Sequence, residues 1–275
     1  MAETRYEVAE DGLQREIVGP WVRDKHHFLK AYVDASRAAR ARLEGEPCFL
    51  DLFCGPGEVR SRDEKYGMHG GTLAAVSTSL SAKKGRPAPF QRVMIGDLVP
   101  EHVAACASRV AKNFDGPVQA FVGSAESTVL EMVQNLPRRG LHLAYLDPYS
   151  IFVLPFSIVE ALASVDRVDI VMHFASSDVS RNLQRPDLYS RLDPVAPGWQ
   201  VVCGGPIGKS LKRHNFFEHW KRLFDHVGYH VSERWVPVRN TRKREIYRLV
   251  LASKNKLGPK IWGTLNDRSK QTGFW

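Results

Sequence analysis

The chain has 275 residues and a net charge of +9, from 39 lysines and arginines against 30 aspartates and glutamates; 43% hydrophobic and 25% charged content excludes disordered and collagen-like classes. The charge is uneven: residues 1–206 hold 23 basic and 25 acidic side chains, net −2, whereas residues 207–275 hold 16 and 5, net +11. No run approaches the roughly 18 apolar residues needed to span a bilayer, and the first residues lack a secretory apolar core, so a cytoplasmic protein with no membrane association is expected.

The spacing predicts an amphipathic helix over 24–43, with Phe28, Leu29, Tyr32, Val33 and Ala39 on its apolar side. Apolar runs of strand length follow at 48–53, 91–95, 118–122, 141–146 and 168–174, separated by helical patterns at 72–82, 100–113, 127–136 and 155–164. Strands alternating with helices predict βαβ units, hence a Rossmann-like α/β fold with a mostly parallel sheet covered on both faces. Past Pro206 the pattern changes to a helix around 216–227 and two strand-like runs, 229–238 and 245–253. The short basic link between those runs predicts a C-terminal antiparallel hairpin. With no repeat and no low-complexity linker, one domain is expected over 1–275: a helical lead-in (1–46), a core sheet (47–206) and a basic helix, hairpin and tail (207–275).

Cys48, Cys54, Cys106 and Cys203 form no C-x-x-C pair, and the ten histidines are scattered, so neither a disulfide framework nor a metal site is expected. The strongest chemical signal is the run 49–57, an apolar strand entering the turn Asp51-Leu52-Phe53-Cys54-Gly55-Pro56-Gly57. Gly55 and Gly57 let the backbone approach a nucleoside or phosphate at the carboxyl ends of the strands. Asp51 is placed to orient the loop or to meet a cationic ligand group. Asp97, at the end of the next strand, is placed to accept from ribose hydroxyls, and Ser124 and Ala125, after the third, leave room for an adenine ring. A dinucleotide site would place its acid about 20 residues past the glycines, whereas Asp97 lies 40 beyond Gly57. The pattern instead resembles the S-adenosylmethionine methyltransferase plan, which implies S-adenosylmethionine as cofactor. The charged loop 58–69 is a candidate lid, and Gly71 or Thr72 a candidate cap for the helix after it.

The fourth strand ends in Asp147-Pro148-Tyr149-Ser150. In methyltransferases acting on exocyclic amines an Asp/Asn-Pro-Pro-aromatic turn occupies this position. There a carboxylate and a carbonyl accept the amine hydrogens while the ring stacks on an extruded base. Asp147, Pro148 and Tyr149 are therefore the catalytic candidates, against the plainer account in which Asp147 caps a helix. One proline replaces the usual two, which shortens the turn.

Several stretches together resemble the three-Cys-motif partner proteins (TcmP). They are Asp11-Gly12-Leu13 with Val18-Gly19-Pro20-Trp21 and Lys25; Tyr32; the turn 51–57; Gly71-Thr72-Leu73-Ala74; Leu146-Asp147-Pro148-Tyr149; Val168-Asp169-Ile170 through Asp178 and Arg181-Asn182-Leu183; and Ile246-Tyr247-Arg248-Leu249 with Ala252-Ser253-Lys254 and Trp262. The resemblance implies a bacterial or phage-associated methyltransferase relative working with a radical-S-adenosylmethionine-like protein, to which the three cysteines belong. Two positions depart from the family pattern: Cys54 stands where alanine is more common, and Ser150 where glycine is usual.

Beyond the fifth strand, Arg181 and Asn182 are candidate substrate readers, one as an anion fork and the other as an amide. The competing account makes Asp178 a helix cap and Arg181 its ion-pair partner. Arg239, Arg242, Lys243 and Arg244 sit among aromatic residues, the composition of a DNA- or RNA-binding surface. Two functions stay open: a methyltransferase acting on a nucleic acid or nucleotide-like substrate, and a non-catalytic adaptor that keeps the fold. A hydrolase or nuclease lacks the paired carboxylates or histidines it would need.

Overall fold

The computed structural model describes residues 5–81, 87–203 and 209–271. It begins with an antiparallel pair, β1 (Tyr6–Val8) and β2 (Gln14–Val18), inside the segment expected to be a helical lead-in. Two helices follow, α1 (Val22–Ala35) and α2 (Arg37–Arg42). The single helix expected over 24–43 is thus interrupted at Ser36, whose hydroxyl donates to Tyr32 O at 2.7 Å and accepts from Arg40 Nη1 at 2.7 Å.

After β3 (Cys48–Asp51) and the glycine turn come β4 (Glu58–Ser61), β5 (Met68–His69) and α3 (Gly71–Leu80). The loop 58–69 is therefore not a free lid. β4 pairs in parallel with β2 and antiparallel with β5, giving a small sheet in the order β1-β2-β4-β5. Its strands are too short and charged to stand alone. Ion pairs tie them together: Arg15 reaches Glu7 at 2.7 Å, Glu10 at 2.6 Å and Glu58 at 3.2 Å, and Arg60 reaches Glu7.

The alternation then runs as expected: β6 (Arg92–Asp97), α4 (Pro100–Ala111), β7 (Val118–Val122), α5 (Ala125–Asn135), β8 (His142–Leu146), α6 (Ser157–Ala163) and β9 (Val168–Phe174). Helices α7 (Ser176–Asn182), α8 (Tyr189–Leu192) and α9 (Trp199–Cys203) lead to α10 (Lys209–His226). The change of pattern placed at Pro206, and the end of the third helix placed at Ala82, lie outside the described residues. The chain closes with β10 (His230–Val231), β11 (Val236–Arg239), β12 (Glu245–Ser253) and α11 (Leu257–Gln271).

In the main sheet β7-β6-β3-β8-β9 are parallel neighbours, and β12 lies antiparallel beside β9. β10 and β11 share the outer edge of β12, so the run expected as one strand over 229–238 is two short ones. Successive residues face opposite layers: Phe49 joins Phe28, Val76, Val110 and Trp262 on one side, Leu50 joins Val129, Ile158, Phe216 and Trp220 on the other. Because β12 runs against β9, with Arg248 opposite Phe174, its first residues and the basic link 240–244 emerge at the carboxyl edge of the parallel strands. Among the described residues no helix is long and apolar enough to cross a membrane.

Candidate functional site

The glycine turn leaves β3 between two fixed points. Asp51 accepts from Phe53 N at 3.1 Å and from Thr72 Oγ1 at 2.7 Å, tying the turn to the start of α3. Gly70 caps that helix, so the Thr72 hydroxyl serves Asp51 instead of the cap expected of it. Gly55 (φ +52) and Gly57 (φ +82) both need the left-handed region. Gly57 packs so closely that an added Cβ would lie 3.0 Å from Cys106 Cα, whereas one on Gly55 would meet nothing within 4 Å. Arg109, buried in α4, clamps the same turn: it donates to Pro56 O at 2.6 Å and Gln14 O at 2.7 Å while gripping Asp11 with Nε and Nη2. Cys54 is buried beside Cys106, which pushes its thiol well above the usual value, the behaviour of a packing residue.

Asp51 is 1% exposed, and burial raises its carboxyl to about 7. Unfolded, it titrates near the ordinary carboxyl value of 3.8, so between these values the folded chain keeps a proton that the unfolded chain has lost. Its stabilising contribution is full below about pH 4 and disappears as pH rises through about 7. Asp51→Asn is expected to flatten that part of the stability profile, measured by denaturant unfolding at pH 5 and pH 8. An identical pH difference in wild type and variant would remove Asp51 from the profile.

Above the turn lies a cavity of about 590 Å³ whose floor includes Gly55, Asp97, Ser124, Ala125 and Asp147. β6 delivers Asp97, which accepts from Gly55 N and Val99 N at 3.0 Å each and lies 3.6 Å from His102 Nδ1. Ser124 caps α5, its hydroxyl accepting from Ser127 N at 3.2 Å. The roof is the small sheet: Arg5, Tyr6 and Glu16 border the cavity, with the Tyr6 ring 4.7 Å from His102. Four carboxylates border it, Glu16, Asp97, Glu126 and Asp147, of which Glu16 is ion-paired with Arg5 and Asp147 with Lys25. Gly57 and Asp51 instead border a small pocket of about 60 Å³ behind the turn.

Asp147 ends β8 in a dense polar cluster. Lys25 Nζ, from α1, donates at 2.8 Å to Oδ1 and lies 2.7 Å from Oδ2, and Tyr145 OH donates to Oδ2 at 3.3 Å. His173 Nδ1 sits 2.7 Å from Oδ1 but off the line of a good hydrogen bond, so both its ring nitrogens are buried without a well-directed partner. Burial works against ionisation of Asp147, yet His173 and Lys25 hold it well below the usual carboxylate range. Burial pushes His173 itself down, so it is the Lys25 ammonium, whose pKa Asp147 raises against its own desolvation, that supplies the compensating charge.

The residues after Asp147 are held by contacts of their own. Ser150 is extended (φ −147), a backbone conformation that serine adopts without the strain that would call for glycine. Its hydroxyl donates to Asp178 Oδ2 at 2.9 Å, and Ile151 N donates to the same oxygen at 3.1 Å. Arg181 ion-pairs with Asp178, and Asn182 is buried; neither borders the cavity. Tyr149 is 61% exposed at the cavity mouth, with the Arg5 guanidinium 5.9 Å from its ring. Arg239, Arg242, Lys243 and Arg244 are exposed at the hairpin tip, where Asn240 Oδ1 accepts from Arg242 N and Arg244 N at 3.0 Å each. Phe216, Phe217, Trp220 and Trp262 are buried in the core.

The residue patterns did not single out Lys25, His173, Arg109 or the roof pair Arg5 and Glu16 as parts of the site. His173 had a visible signal, a histidine inside the apolar run 168–174, and Arg109 another, a charge on the apolar side of its helix beside Cys106 and Val110.

No protein-family model matches the chain, and no curated protein matches it in sequence. Among solved structures it is similar to Trm1 from Pyrococcus horikoshii in complex with S-adenosyl-L-methionine, at 11% identity and a TM-score of 0.47, over 92% of this chain and 61% of that one. It is similar to M. jannaschii TYW2 in complex with AdoMet, at 9% identity and a TM-score of 0.43, over 92% and 87%. It is also similar to the N-methyltransferase NodS from Bradyrhizobium japonicum in complex with S-adenosyl-L-homocysteine, at 11% identity and a TM-score of 0.43, over 86% and 88%. The chain thus spans less than two thirds of the length of the first of these. Its own strands, a parallel β7-β6-β3-β8-β9 core finished by an antiparallel C-terminal hairpin, form the mostly parallel α/β sheet with a terminal hairpin expected from the sequence.

Proposed function

We propose that this chain binds S-adenosylmethionine in the cavity above Gly55 and transfers its methyl group to a nucleic acid or nucleotide-like acceptor. The observation that carries the reading is the order of the floor: an open glycine, a carboxylate, a pair of small residues and a second carboxylate, each at the end of a successive strand on one edge. The cavity fits the cofactor. The bare Gly55 surface admits close approach, Asp97 can accept from ribose hydroxyls, and Ser124 and Ala125 leave space for adenine, while Asp97 and Glu126 add negative charge to the floor. When bound, S-adenosylmethionine supplies a methyl group already activated on a sulfonium. The chain's own task is then to orient the acceptor and exclude water, which the turn 147–149 and the roof over His102 can do.

One observation favours the adaptor reading. Both Asp147 oxygens are already engaged by Lys25, Tyr145 and His173, which leaves little capacity to accept from an amine. Radiolabelled methyl transfer to mixed nucleic acid separates the two: incorporation lost in Asp147→Ala supports catalysis, whereas cofactor binding without any incorporation supports the adaptor. From the family resemblance we also propose a radical-S-adenosylmethionine-like three-Cys-motif partner. Co-purification with tagged chain tests it, and two proteins that elute apart would overturn it.

The hairpin tip supplies the nucleic-acid contacts in this reading. Each neutralised phosphate contributes about 0.7–0.9 to the slope of log affinity against log salt. Replacing Arg239, Arg242, Lys243 and Arg244 by glutamine is expected to lower that slope by about 3 in filter-binding titrations. An unchanged slope would make the tip a solubility feature.

A further inference from the structure

Adenine at Ser124 and Ala125 and ribose at Asp97 account for only one half of S-adenosylmethionine. The cavity floor runs on in strand order, from the ends of β7 and β6 to Gly55 after β3 and then to Asp147 and Tyr149 after β8. The other half of the ligand, an amino acid that carries an ammonium and a carboxylate, therefore extends over β3 towards β8. A group of each sign is needed there to receive it. The glycine turn does not supply the positive one. Leu52 N donates to Tyr145 O at 3.4 Å, Phe53 N to Asp51, Cys54 N to Gly96 O at 2.9 Å and Gly55 N to Asp97, so four successive amides of the turn are engaged within the protein.

Among the described residues Arg5 is the one lysine or arginine that borders this cavity. Its guanidinium lies 5.6 Å from the Tyr6 ring and 5.9 Å from the Tyr149 ring, and the second contact fixes it at the β8 end. Its ion pair with Glu16 leaves capacity on both partners. Nε and Nη2 both reach the same Glu16 oxygen, Oε1, at 3.0 Å. A guanidinium has five N–H donors, so Nη1 keeps two of them, and Glu16 Oε2 has no hydrogen-bond partner among the described residues. Neither side chain is buried, at 54% and 24% exposed, so a ligand can reach both. Asp147, the other carboxylate at this end, is already neutralised by Lys25. An ion pair with a free donor edge and a free acceptor oxygen is the complement of a zwitterion, since the four charges then alternate in sign around a ring.

We propose that the roof ion pair of Arg5 and Glu16 is the subsite for the amino-acid end of S-adenosylmethionine, with Arg5 holding its carboxylate and Glu16 its ammonium. The proposal rests on the reading that places this cofactor in the cavity. It also gives the small sheet a part in binding, because Arg5 stands immediately before β1 and Glu16 on β2. The parallel strands then read the nucleoside, and the roof reads the amino acid.

The test is calorimetry on the full chain with S-adenosylhomocysteine and with 5′-methylthioadenosine, which keeps the adenosine and the sulfur but lacks the amino acid. One charge-assisted contact is worth about tenfold or more in affinity. S-adenosylhomocysteine is expected to bind at least about tenfold more tightly than methylthioadenosine. Arg5→Gln and Glu16→Gln are each expected to weaken it about tenfold while the affinity for methylthioadenosine stays the same. Equal affinities of the two ligands for the wild-type chain would overturn the proposal, and this comparison stands even if a variant fails to fold. So would a homocysteine-ligand affinity indifferent to either substitution, or variants that keep the wild-type circular dichroism yet weaken both ligands alike. In each of these cases a ligand still binds, and the cofactor reading survives. Binding by neither ligand to the wild-type chain would sink that reading, and the proposal with it.

Discussion

Lys25→Met is expected to destabilise the fold by about 3–5 kcal/mol, the usual consequence of removing one partner from a buried ion pair. The variant keeps the length and most of the apolar stem of the side chain, so the packing of α1 changes little. What it removes is the ammonium within 2.8 Å of both Asp147 oxygens. The carboxylate is then left with the Tyr145 hydroxyl at 3.3 Å and a poorly directed His173. It must bear its full desolvation penalty, take up a proton, or transfer charge to His173. Denaturant unfolding measures the loss, and a double variant, Lys25→Met with Asp147→Asn, isolates its cause. The second change removes the stranded charge, so the double variant is expected to recover a large part of the lost stability. A loss below about 1 kcal/mol in the single variant would place the pair in the class of surface ion pairs and contradict the burial described here.

Asp97→Ala is expected to weaken S-adenosylhomocysteine binding by at least about a hundredfold, measured by calorimetry. Two hydrogen bonds from ribose hydroxyls to a charged acceptor contribute about 1.5–3 kcal/mol each, and every 1.4 kcal/mol is a factor of ten. A second effect adds to the first. Asp97 holds Gly55 N and Val99 N at 3.0 Å, so alanine also loosens the turn that the ligand must approach. Asp97→Asn separates the two, because its amide oxygen can still accept from one of these backbone groups. It is expected to bind more tightly than the alanine variant but more weakly than wild type. Affinity unchanged in Asp97→Ala would remove the carboxylate from the cofactor site and with it the best-supported part of the proposed function.

The frame of the main sheet was readable in the sequence. β7, β9 and β12 match the strand-like runs 118–122, 168–174 and 245–253 residue for residue, and β9, buried along its whole length, shows why: a strand covered on both faces must be continuously apolar or nearly so. The alternating helices came with them. The small roof sheet was not readable: Tyr6–Val8, Gln14–Val18, Glu58–Ser61 and Met68–His69 are short and polar. Their pairing depends on ion pairs such as Arg15 with Glu58, 43 residues away, and no local pattern announces such a contact. The turn residues were found for the same local reason as the strands, since Gly55, Asp97 and Asp147 all sit at strand ends. Their partners were missed because they arrive from other elements. Lys25 stands on a helix whose apolar spacing says nothing of where its polar residues point.

The distance along the chain between those partners sets when the site can exist. Arg109 reaches back 98 residues to Asp11, and Lys25 is separated from Asp147 by 122. The glycine turn and β6 can form from contiguous sequence, but the roof and the charge balance at the acceptor turn must wait until α4 and β8 have docked. Loop closures of this length come at a high entropic cost before their contacts can offset it. The binding edge is therefore complete only when segments 98 and 122 residues apart have met, so a chain that has formed the glycine turn alone does not yet hold its cavity closed around a ligand.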